Sequence, residues 1–170
     1  VVIIFFSGLL IWANVNPADP APTLGLNIDQ SQLIAAQVTK VFDGDTIEVQ
    51  FSDGQKAKVR YLGIDTPETV DPHRPVGCYG YQASLINKKL VDEKIVYLEK
   101  DLSEVDKYGR LLRYVYLKQT NGWLLVNEYL IKSGMGTVLS LPPDNRLTPR
   151  FLQAEEEARI GRRGLWKKCQ

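Results

Sequence analysis

The sequence predicts an α+β protein in which a five-stranded β-barrel carries three α-helices. Polar and apolar residues alternate through much of residues 35–117, as they do in strands with one buried face. Three other segments repeat apolar residues every three to four positions, as helices do. The resulting order is three strands, one helix, two strands and two helices, which is the order of a Greek-key OB-fold barrel. A five-stranded SH3-like barrel is the alternative, but it offers no obvious place for a long helix after its third strand.

Turn signals separate the predicted strands. An Asp-Gly-Asp turn at residues 43–45 ends the first strand, and Ser-Asp-Gly at 52–54 closes a hairpin between the second and the third. Thr-Asn-Gly at 120–122 ends the fifth strand. The strands are predicted at residues 35–42, 46–51, 56–60, 94–99 and 111–117.

Capping residues mark the ends of the predicted helices. Gly134 is expected as the C′ residue of the second helix. Thr148 is expected as the N-cap of the third helix, with Pro149 at its first position and Gly161 at its end. The residues that share one face of each helix are Tyr79, Ala83, Ile86 and Leu90; Val126, Tyr129, Leu130 and Ser133; and Phe151, Ala154, Glu155 and Ala158.

Length and charge indicate one ordinary globular domain. The chain has 170 residues, of which 44% are hydrophobic and 24% are charged. The net charge is only +1, so any field that holds a polyanion must be local. We expect a monomer.

Residues 1–13 form an uncharged apolar run that is short for a membrane span and has the length of an export-signal core. We interpret this run as a signal peptide or the remnant of a membrane anchor, followed by a linker at 14–34 and the domain at 35–170. A buried N-terminal strand or helix is the alternative. The protein is therefore expected to be secreted or anchored at the outer face of the cell membrane.

Cys78 and Cys169 fit an exported protein, in which an even number of cysteines is often paired. A disulfide between them would pin the C-terminus to the middle of the domain, and two free thiols are the alternative. Neither cysteine has His or Cys neighbours at metal-ligand spacing, so a zinc site is not predicted.

Acidic side chains in two short segments suggest a site for a hard cation. Asp45 and Asp65 stand at the ends of strands that should lie close together in one barrel. Two carboxylates, with backbone carbonyls and water, supply the oxygen ligands that calcium or magnesium needs. The single histidine, His73, is interpreted as a solvated loop residue. Each segment alone also has a structural explanation, as a turn or as a helix cap.

Two arginines and a further acid extend this set toward phosphate chemistry. Arg60 and Arg110 carry fixed, permanently charged forks that pair with phosphate oxygens. Glu68 is then a spare carboxylate that could orient or deprotonate a water molecule. A salt-bridge cluster without a catalytic role is the alternative.

Three motifs follow one another along the chain: Asp-Gly-Asp-Thr from residue 43, Arg-x-x-x-x-Asp-Thr-Pro-Glu from residue 60 and Asp-Lys-Tyr-Gly-Arg from residue 106. In order and spacing, they resemble the staphylococcal nuclease (thermonuclease) family. The similarity extends from about Val38 to Trp166. It implies an OB-fold barrel that binds one Ca²⁺ and hydrolyses DNA and RNA at the 5′ P–O bond, leaving 3′-phosphate ends.

The resemblance also implies roles for individual residues. The calcium ligands would be the side chains of Asp45 and Asp65 and the carbonyl of Thr66. The catalytic residues would be Glu68 for the attacking water and, for the phosphate, Arg60 and Arg110. The residues that contact the terminal phosphate region of a bound nucleotide would be Lys107 and Tyr108.

One segment departs from the family pattern. The family's type member has two tyrosines that pack on or beside the base, whereas residues 137–142 here contain no aromatic residue. Stacking contributes about 1–3 kcal/mol per base in single-strand binders. We therefore expect weaker nucleotide affinity, or a platform formed by Tyr108, Leu139 or Leu141.

Two functions compete with a nuclease that prefers single strands. The first is a non-catalytic module of the same family that binds nucleic acid or protein, and the presence of all the acids and both arginines disfavours it. The second is a calcium-stabilised structural domain, which would give no reason for Arg60 and Arg110.

Overall fold

The computed structural model describes residues 21–23, 25–67, 69 and 76–169. The predicted leader at 1–13, residues 14–20 and 24 of the predicted linker, Glu68 and His73 lie outside the described residues. None of the helices in the described part of the chain is both long and apolar enough to cross a lipid bilayer.

The order of elements confirms the predicted sequence of strands and helices. The strands of the described residues are β1 (Ile34–Val41), β2 (Thr46–Gln50), β3 (Lys56–Tyr61), β4 (Ile64–Asp65), β5 (Ile95–Glu99), β6 (Leu111–Gln119), β7 (Gly122–Leu125) and β8 (Thr137–Val138). The helices are α1 (Gly80–Val91), α2 (Val126–Lys132), α3 (Thr148–Ile160) and α4 (Leu165–Lys168).

Five of these strands close into a barrel. The sheet runs β3-β2-β1-β5-β6 through antiparallel pairs, and β3 also pairs with β6 in parallel, with Arg60 opposite Leu112. This parallel pairing removes the open edges, as expected for an OB-fold barrel. The predicted fold, a five-stranded barrel with three helices of two turns or more, is confirmed.

Alternation along the strands separates the barrel interior from its outer face. In β3, Val59 and Tyr61 are fully buried, whereas Lys56 and Lys58 are exposed. Ile47 and Val49 of β2 are buried in the same way. Alternate residues of a strand share one face, so Arg60 lies on the same outer face of β3 as the two lysines. This face therefore carries a row of cations that ends at Arg60.

The short strands β4, β7 and β8 and the short helix α4 were not predicted from the sequence. Residues after the turn at 120–122 continue as β7, which pairs with β6 before α2 begins. Strand β4 pairs with β8 through only two residue pairs, Ile64 with Val138 and Asp65 with Thr137. The four-residue helix α4 follows Gly164.

The predicted cap of α3 is wrong by one residue. Leu147, and not Thr148, stands at the N-cap, because the Leu147 carbonyl accepts the first helical hydrogen bond, from the Phe151 N–H at 3.0 Å. Gly134 is in the left-handed conformation after α2, with φ of 71°, as predicted for a C′ residue.

Two features attach the ends of the described chain to the barrel. The Thr23 N–H donates to the Trp123 carbonyl at 2.8 Å, and the Leu125 N–H donates to the Thr23 hydroxyl at 3.0 Å, so this part of the predicted linker lies along β7. At the other end, Cys78 and Cys169 form a disulfide with their Cα atoms 5.8 Å apart. The predicted pairing of the cysteines is confirmed.

Candidate active site

The site begins at the tight turn between β1 and β2. The Asp43 carboxylate accepts a hydrogen bond from the Asp45 N–H at 3.0 Å, which holds the turn from within. Gly44 lies so close to Thr66 that an added Cβ would be 2.8 Å from the threonine side chain. Only glycine allows this approach, so residue 44 determines how near the segment after β4 comes to the turn.

A buried asparagine of α1 supports this turn from below. Asn87 is fully buried, and its side-chain N–H donates to the Asp43 carbonyl at 2.9 Å. Its side-chain carbonyl accepts a hydrogen bond from the Tyr61 hydroxyl at 3.0 Å. Helix α1 and strand β3 thus fix the position of the turn together. The sequence analysis missed Asn87, which lies within the helical pattern of α1 and has no local signature.

Asp45 is the most buried acid of the site, with 4% of its surface exposed. Its Oδ2 accepts hydrogen bonds from the Thr66 N–H at 2.8 Å and the Thr66 hydroxyl at 2.9 Å. Its Oδ1 accepts from the Thr46 hydroxyl at 3.1 Å. Burial raises the pKa of Asp45 to about 6, although Arg60 and the Thr66 donors oppose the rise. Loss of solvation therefore disfavours the charged form of this carboxylate in the metal-free site.

Arg60 links the two predicted acidic ligands. One terminal nitrogen lies 3.1 Å from Oδ2 of Asp45, and the other lies 3.1 Å from Oδ1 of Asp65. The first nitrogen also donates to the Tyr61 carbonyl at 3.1 Å and to the Ile64 carbonyl at 2.8 Å. With only 12% of its side chain exposed, the guanidinium is fixed in one orientation.

Asp65 and Thr66 are positioned by the short sheet of β4 and β8. The Asp65 side chain is 59% exposed, so it faces solvent where a substrate would approach. Gly136, just before β8, passes so near that an added Cβ would meet the Asp65 carbonyl at 2.6 Å. Glu155 of α3 accepts a hydrogen bond from the Val138 N–H at 2.8 Å and so ties β8 to that helix.

Arg110 belongs to a separate turn in the connection between β5 and β6. The Asp106 carboxylate accepts hydrogen bonds from the Arg110 and Tyr108 N–H groups, both at 2.9 Å. It also pairs with the Arg110 guanidinium at 2.7 Å. Burial opposes the effect, but these hydrogen bonds lower the pKa of Asp106 and keep it charged. Asp106 therefore orients Arg110, a role that the sequence analysis did not assign.

The parallel register of β3 and β6 relates the two arginines. Leu112 is opposite Arg60, and Arg110 precedes Leu112 by two residues, so Arg110 lies at the same edge of the barrel. Lys107 and Tyr108 are on this same turn, and the Tyr108 ring is 72% exposed. The structure thus brings together Asp45, Arg60, Asp65 and Thr66 and places Arg110 in the turn just before β6, the strand that pairs with β3. Glu68 lies outside the described residues.

The oxygen donors of this site fit a hard cation. Within the described residues, no group of three His, Cys, Asp or Glu side chains is arranged to hold a metal ion. The donors are two carboxylates and main-chain oxygens, and the burial of Asp45 leaves its negative charge poorly solvated. Such a set favours calcium or magnesium over metals that prefer nitrogen or sulfur.

Comparison with known proteins identifies the family of this fold and site. Residues 58–168 match the family described as staphylococcal nuclease homologue. A thermonuclease of Staphylococcus intermedius is 40% identical over 131 residues, which cover 77% of this chain and 75% of the relative. The chain belongs to the staphylococcal nuclease family. The family predicted from the three motifs is confirmed.

Other members of the staphylococcal nuclease family match over a similar span. A thermonuclease of Staphylococcus hyicus is 39% identical over 130 residues, covering 76% of this chain and 74% of the relative. The endonuclease YncB of Bacillus subtilis is 39% identical over 142 residues, covering 82% of this chain and 65% of that protein. The family match at residues 58–168 includes most of β3, the β4–β8 sheet and, of the site, Arg60, Asp65, Thr66 and Arg110.

Within this family member, the segment without aromatic residues forms β8 and the loop after it. The Leu139 N–H donates to the Gly63 carbonyl at 3.1 Å, whereas the Leu141 side chain is 54% exposed. Tyr108 is the exposed aromatic residue nearest to Arg110, and its ring lies 5.4 Å from the Arg110 guanidinium carbon. A base platform formed by Tyr108, Leu139 or Leu141 stays a prediction.

Proposed function

We propose that this protein is a calcium-dependent nuclease that hydrolyses DNA and RNA at the 5′ P–O bond and leaves 3′-phosphate ends. Membership of the staphylococcal nuclease family supports the class of enzyme. The observation that carries the proposal is Arg60, which is held between Asp45 and Asp65 at 3.1 Å from each. A fixed guanidinium beside two carboxylates places a phosphate partner directly next to a cation site.

The residues proposed to hold calcium are Asp45, Asp65 and the carbonyl of Thr66. A bound calcium ion would polarise a phosphoryl oxygen and so make the phosphorus more electrophilic. Two hydrogen bonds from Thr66 to Asp45 hold these two proposed ligands next to each other.

The arginines are proposed to bind the phosphate and to stabilise the charge that develops on it. The Asp106 carboxylate is bound by Nε and one terminal nitrogen of Arg110. Among the described residues, the other terminal nitrogen is thus available to a phosphate oxygen. Glu68 is proposed as the base that receives a proton from the attacking water. Lys107 and Tyr108 are proposed to contact the terminal phosphate region of the nucleotide.

We further propose that the protein acts outside the cytoplasm, as a monomer that is secreted or held at the outer face of the cell membrane through residues 1–13. The disulfide between Cys78 and Cys169 supports this proposal, because disulfides persist in oxidising compartments. Cell fractionation that recovers the full-length protein only from the cytoplasm would contradict it.

A digestion assay with purified protein tests the proposed reaction. Single-stranded DNA and RNA are incubated at alkaline pH with millimolar calcium, and the ends of the products are identified by their susceptibility to a 3′-phosphatase. We expect cleavage of both substrates, 3′-phosphate ends, and loss of activity in chelator. If both substrates stay intact while the protein still binds them, the protein is the binding module and the enzyme proposal is wrong.

A further inference from the structure

Phe42, the residue that follows β1, has an unusual environment. Its side chain is half-buried, yet among the described residues it does not pack against the hydrophobic core. Two lysine ammonium groups cover the ring instead, Lys40 at 4.7 Å and Lys58 at 4.8 Å from its centroid. We call Lys40, Phe42 and Lys58 the Phe42 patch.

The Phe42 patch lies on the outer face of three neighbouring strands. Glu48 of β2 is opposite Lys40 of β1 on one side and opposite Lys58 of β3 on the other. Neighbouring strands are about 4.8 Å apart, so the two lysine backbones are about 10 Å apart across the face. Both lysines are exposed, and their charges are accessible to solvent.

The patch is continuous with the candidate active site. Lys58 precedes Arg60 by two residues on the same face of β3, a separation of about 6.6 Å along the strand. Phe42 precedes Asp45 by three residues, through the turn that Asn87 supports. A chain bound at Arg60 can therefore extend directly over the Phe42 ring.

The acids near the patch leave its charge positive. The Glu48 carboxylate already has two partners: the Thr39 hydroxyl donates to it at 2.7 Å, and Lys56 pairs with it at 3.3 Å. The Asp43 carboxylate is turned to the Asp45 N–H. With Lys40, Lys56 and Lys58 against Asp43 and Glu48, this part of the surface has a formal charge of +1.

We infer that the Phe42 patch is a subsite for a single-stranded stretch of the substrate outside the cleaved nucleotide. An aromatic ring flanked by cations is the usual platform for an unpaired base and the phosphates on either side of it. A base that stacks on Phe42 displaces one ammonium from the ring face, and the two ammonium groups then pair with the phosphates on either side of that base. A duplex keeps its bases stacked and cannot use the ring. The inference rests on the proposed nuclease function.

Binding measured without cleavage tests the subsite independently of the reaction. A fluorescent DNA strand of about 12 nucleotides, close to the upper end of the range for one OB fold, is titrated with protein in chelator at several salt concentrations. The double variant Lys40→Ala/Lys58→Ala should reduce the slope of log K against log salt by about 1.4, which is about 0.7 for each lost phosphate contact. A slope that does not change would overturn the inference.

Two substitutions of Phe42, one aliphatic and one aromatic, test whether its ring stacks on a base. Phe42→Leu should weaken binding of the single strand about fivefold or more, because a base loses its stacking partner. Phe42→Trp should retain the affinity, which shows that the site tolerates substitution. Equal losses for single-stranded and duplex DNA in Phe42→Leu would contradict a stacking role.

Lys118 provides a matched control, since its ammonium also covers an aromatic ring, that of Trp123 at 5.9 Å. This pair joins β6 to β7 and lies five residues along β6 beyond Arg113, the last residue of β6 that pairs with β3. Lys118→Ala should leave the affinity for the DNA strand and the salt slope of that affinity unchanged.

In the digestion assay, variants of the Phe42 patch should lose more kcat/KM on the long strand than on a dinucleotide. Equal losses on both would contradict the subsite, whereas absence of cleavage in the wild-type protein would contradict the proposed function instead.

Discussion

At the scale of single residues, the charged carboxylate of Asp45 destabilises the metal-free protein. Its pKa is raised from an ordinary value of 3.8 to about 6, first because it is buried. The native state therefore holds the proton more tightly than the unfolded state does. The stabilisation from this proton is complete below pH 3.8 and is lost as the pH rises through about 6.

Replacement of Asp45 by its neutral isostere should separate stability from activity. In chelator at pH above 7, Asp45→Asn should raise the free energy of unfolding, on the order of 1–3 kcal/mol, because the buried charge is removed. At pH near 4 the difference should disappear, while hydrolysis should be lost at any pH. Urea denaturation at both pH values measures this. A variant that is less stable than wild type at neutral pH would mean that the ion pair with Arg60 outweighs the cost of burial.

Asn87 should affect the site through the turn that it supports. Asn87→Ala leaves the Tyr61 hydroxyl and the Asp43 carbonyl without their partner, which should cost about 1–3 kcal/mol of stability. Calcium affinity should fall about 10–100-fold, as for other residues that position ligands. Calorimetric titration with calcium and urea denaturation measure the two effects.

Asn127 is the matched control for Asn87. It is equally buried, but it donates to the Leu62 carbonyl and accepts from the Val115 N–H, away from the turn at 43–45. Asn127→Ala should reduce stability by a similar amount and calcium affinity much less. If both variants bind calcium with the same affinity, Asn87 has only a structural role.

At the scale of elements, the parts predicted correctly are those with a local signal. Alternation predicted the ends of β1, β2, β3 and β5 to within one residue and that of β6 to within two, and helical periodicity predicted the three longer helices. Strands β4 and β8 have two residues each and therefore no period to detect. They exist because Gly136 allows the two segments to meet, and this requires knowledge of the folded chain.

The same distinction applies to the site. The motifs contained Asp45, Asp65 and both arginines, since each stands beside a turn or a strand end. Asn87 acts on a residue 44 positions earlier in the chain, and nothing in its own helix indicates that partner. Phe42 resembles a core residue in sequence, and only the position of two lysines over its ring indicates another role.

The β4–β8 sheet should be sensitive to one methyl group. Gly136→Ala places a Cβ about 2.6 Å from the Asp65 carbonyl and forces β8 away from β4. Asp65 and Thr66 then shift, so the calcium concentration needed for half-maximal cleavage should rise. A calcium titration of the digestion rate, with circular dichroism to verify folding, measures the change.

Gly54 is the control for this substitution. It lies in the β2–β3 hairpin turn with φ of 85°, and an added Cβ would have no atom within 4 Å. Gly54→Ala should therefore cost about 1 kcal/mol through its backbone conformation, without changing the calcium requirement. An equal rise in the calcium requirement for both variants would show that Gly136→Ala acts through general loss of stability.

At the scale of the whole molecule, the disulfide connects regions that the barrel does not. Cys78 lies just before α1, and Cys169 follows α4. Helix α1 also supplies Asn87 to the site, so the bridge joins the C-terminus to the helix that supports the active-site turn. The α4 end is fixed a second time, since the Leu165 N–H donates to the Gly134 carbonyl at 2.9 Å.

The disulfide should contribute to global stability more than to the geometry of the site. It closes a loop of 91 residues, so its loss should cost about 2–5 kcal/mol, mainly because the unfolded chain gains freedom. Reductant should lower the Tm of the wild-type protein, and it should not change the lower Tm of Cys78→Ser/Cys169→Ser. Well below its Tm, the variant should cleave single-stranded DNA at nearly the wild-type rate, because Asn87 and Asp45 keep their own contacts. A large loss of activity in the folded variant would show instead that the bridge positions α1 against the turn.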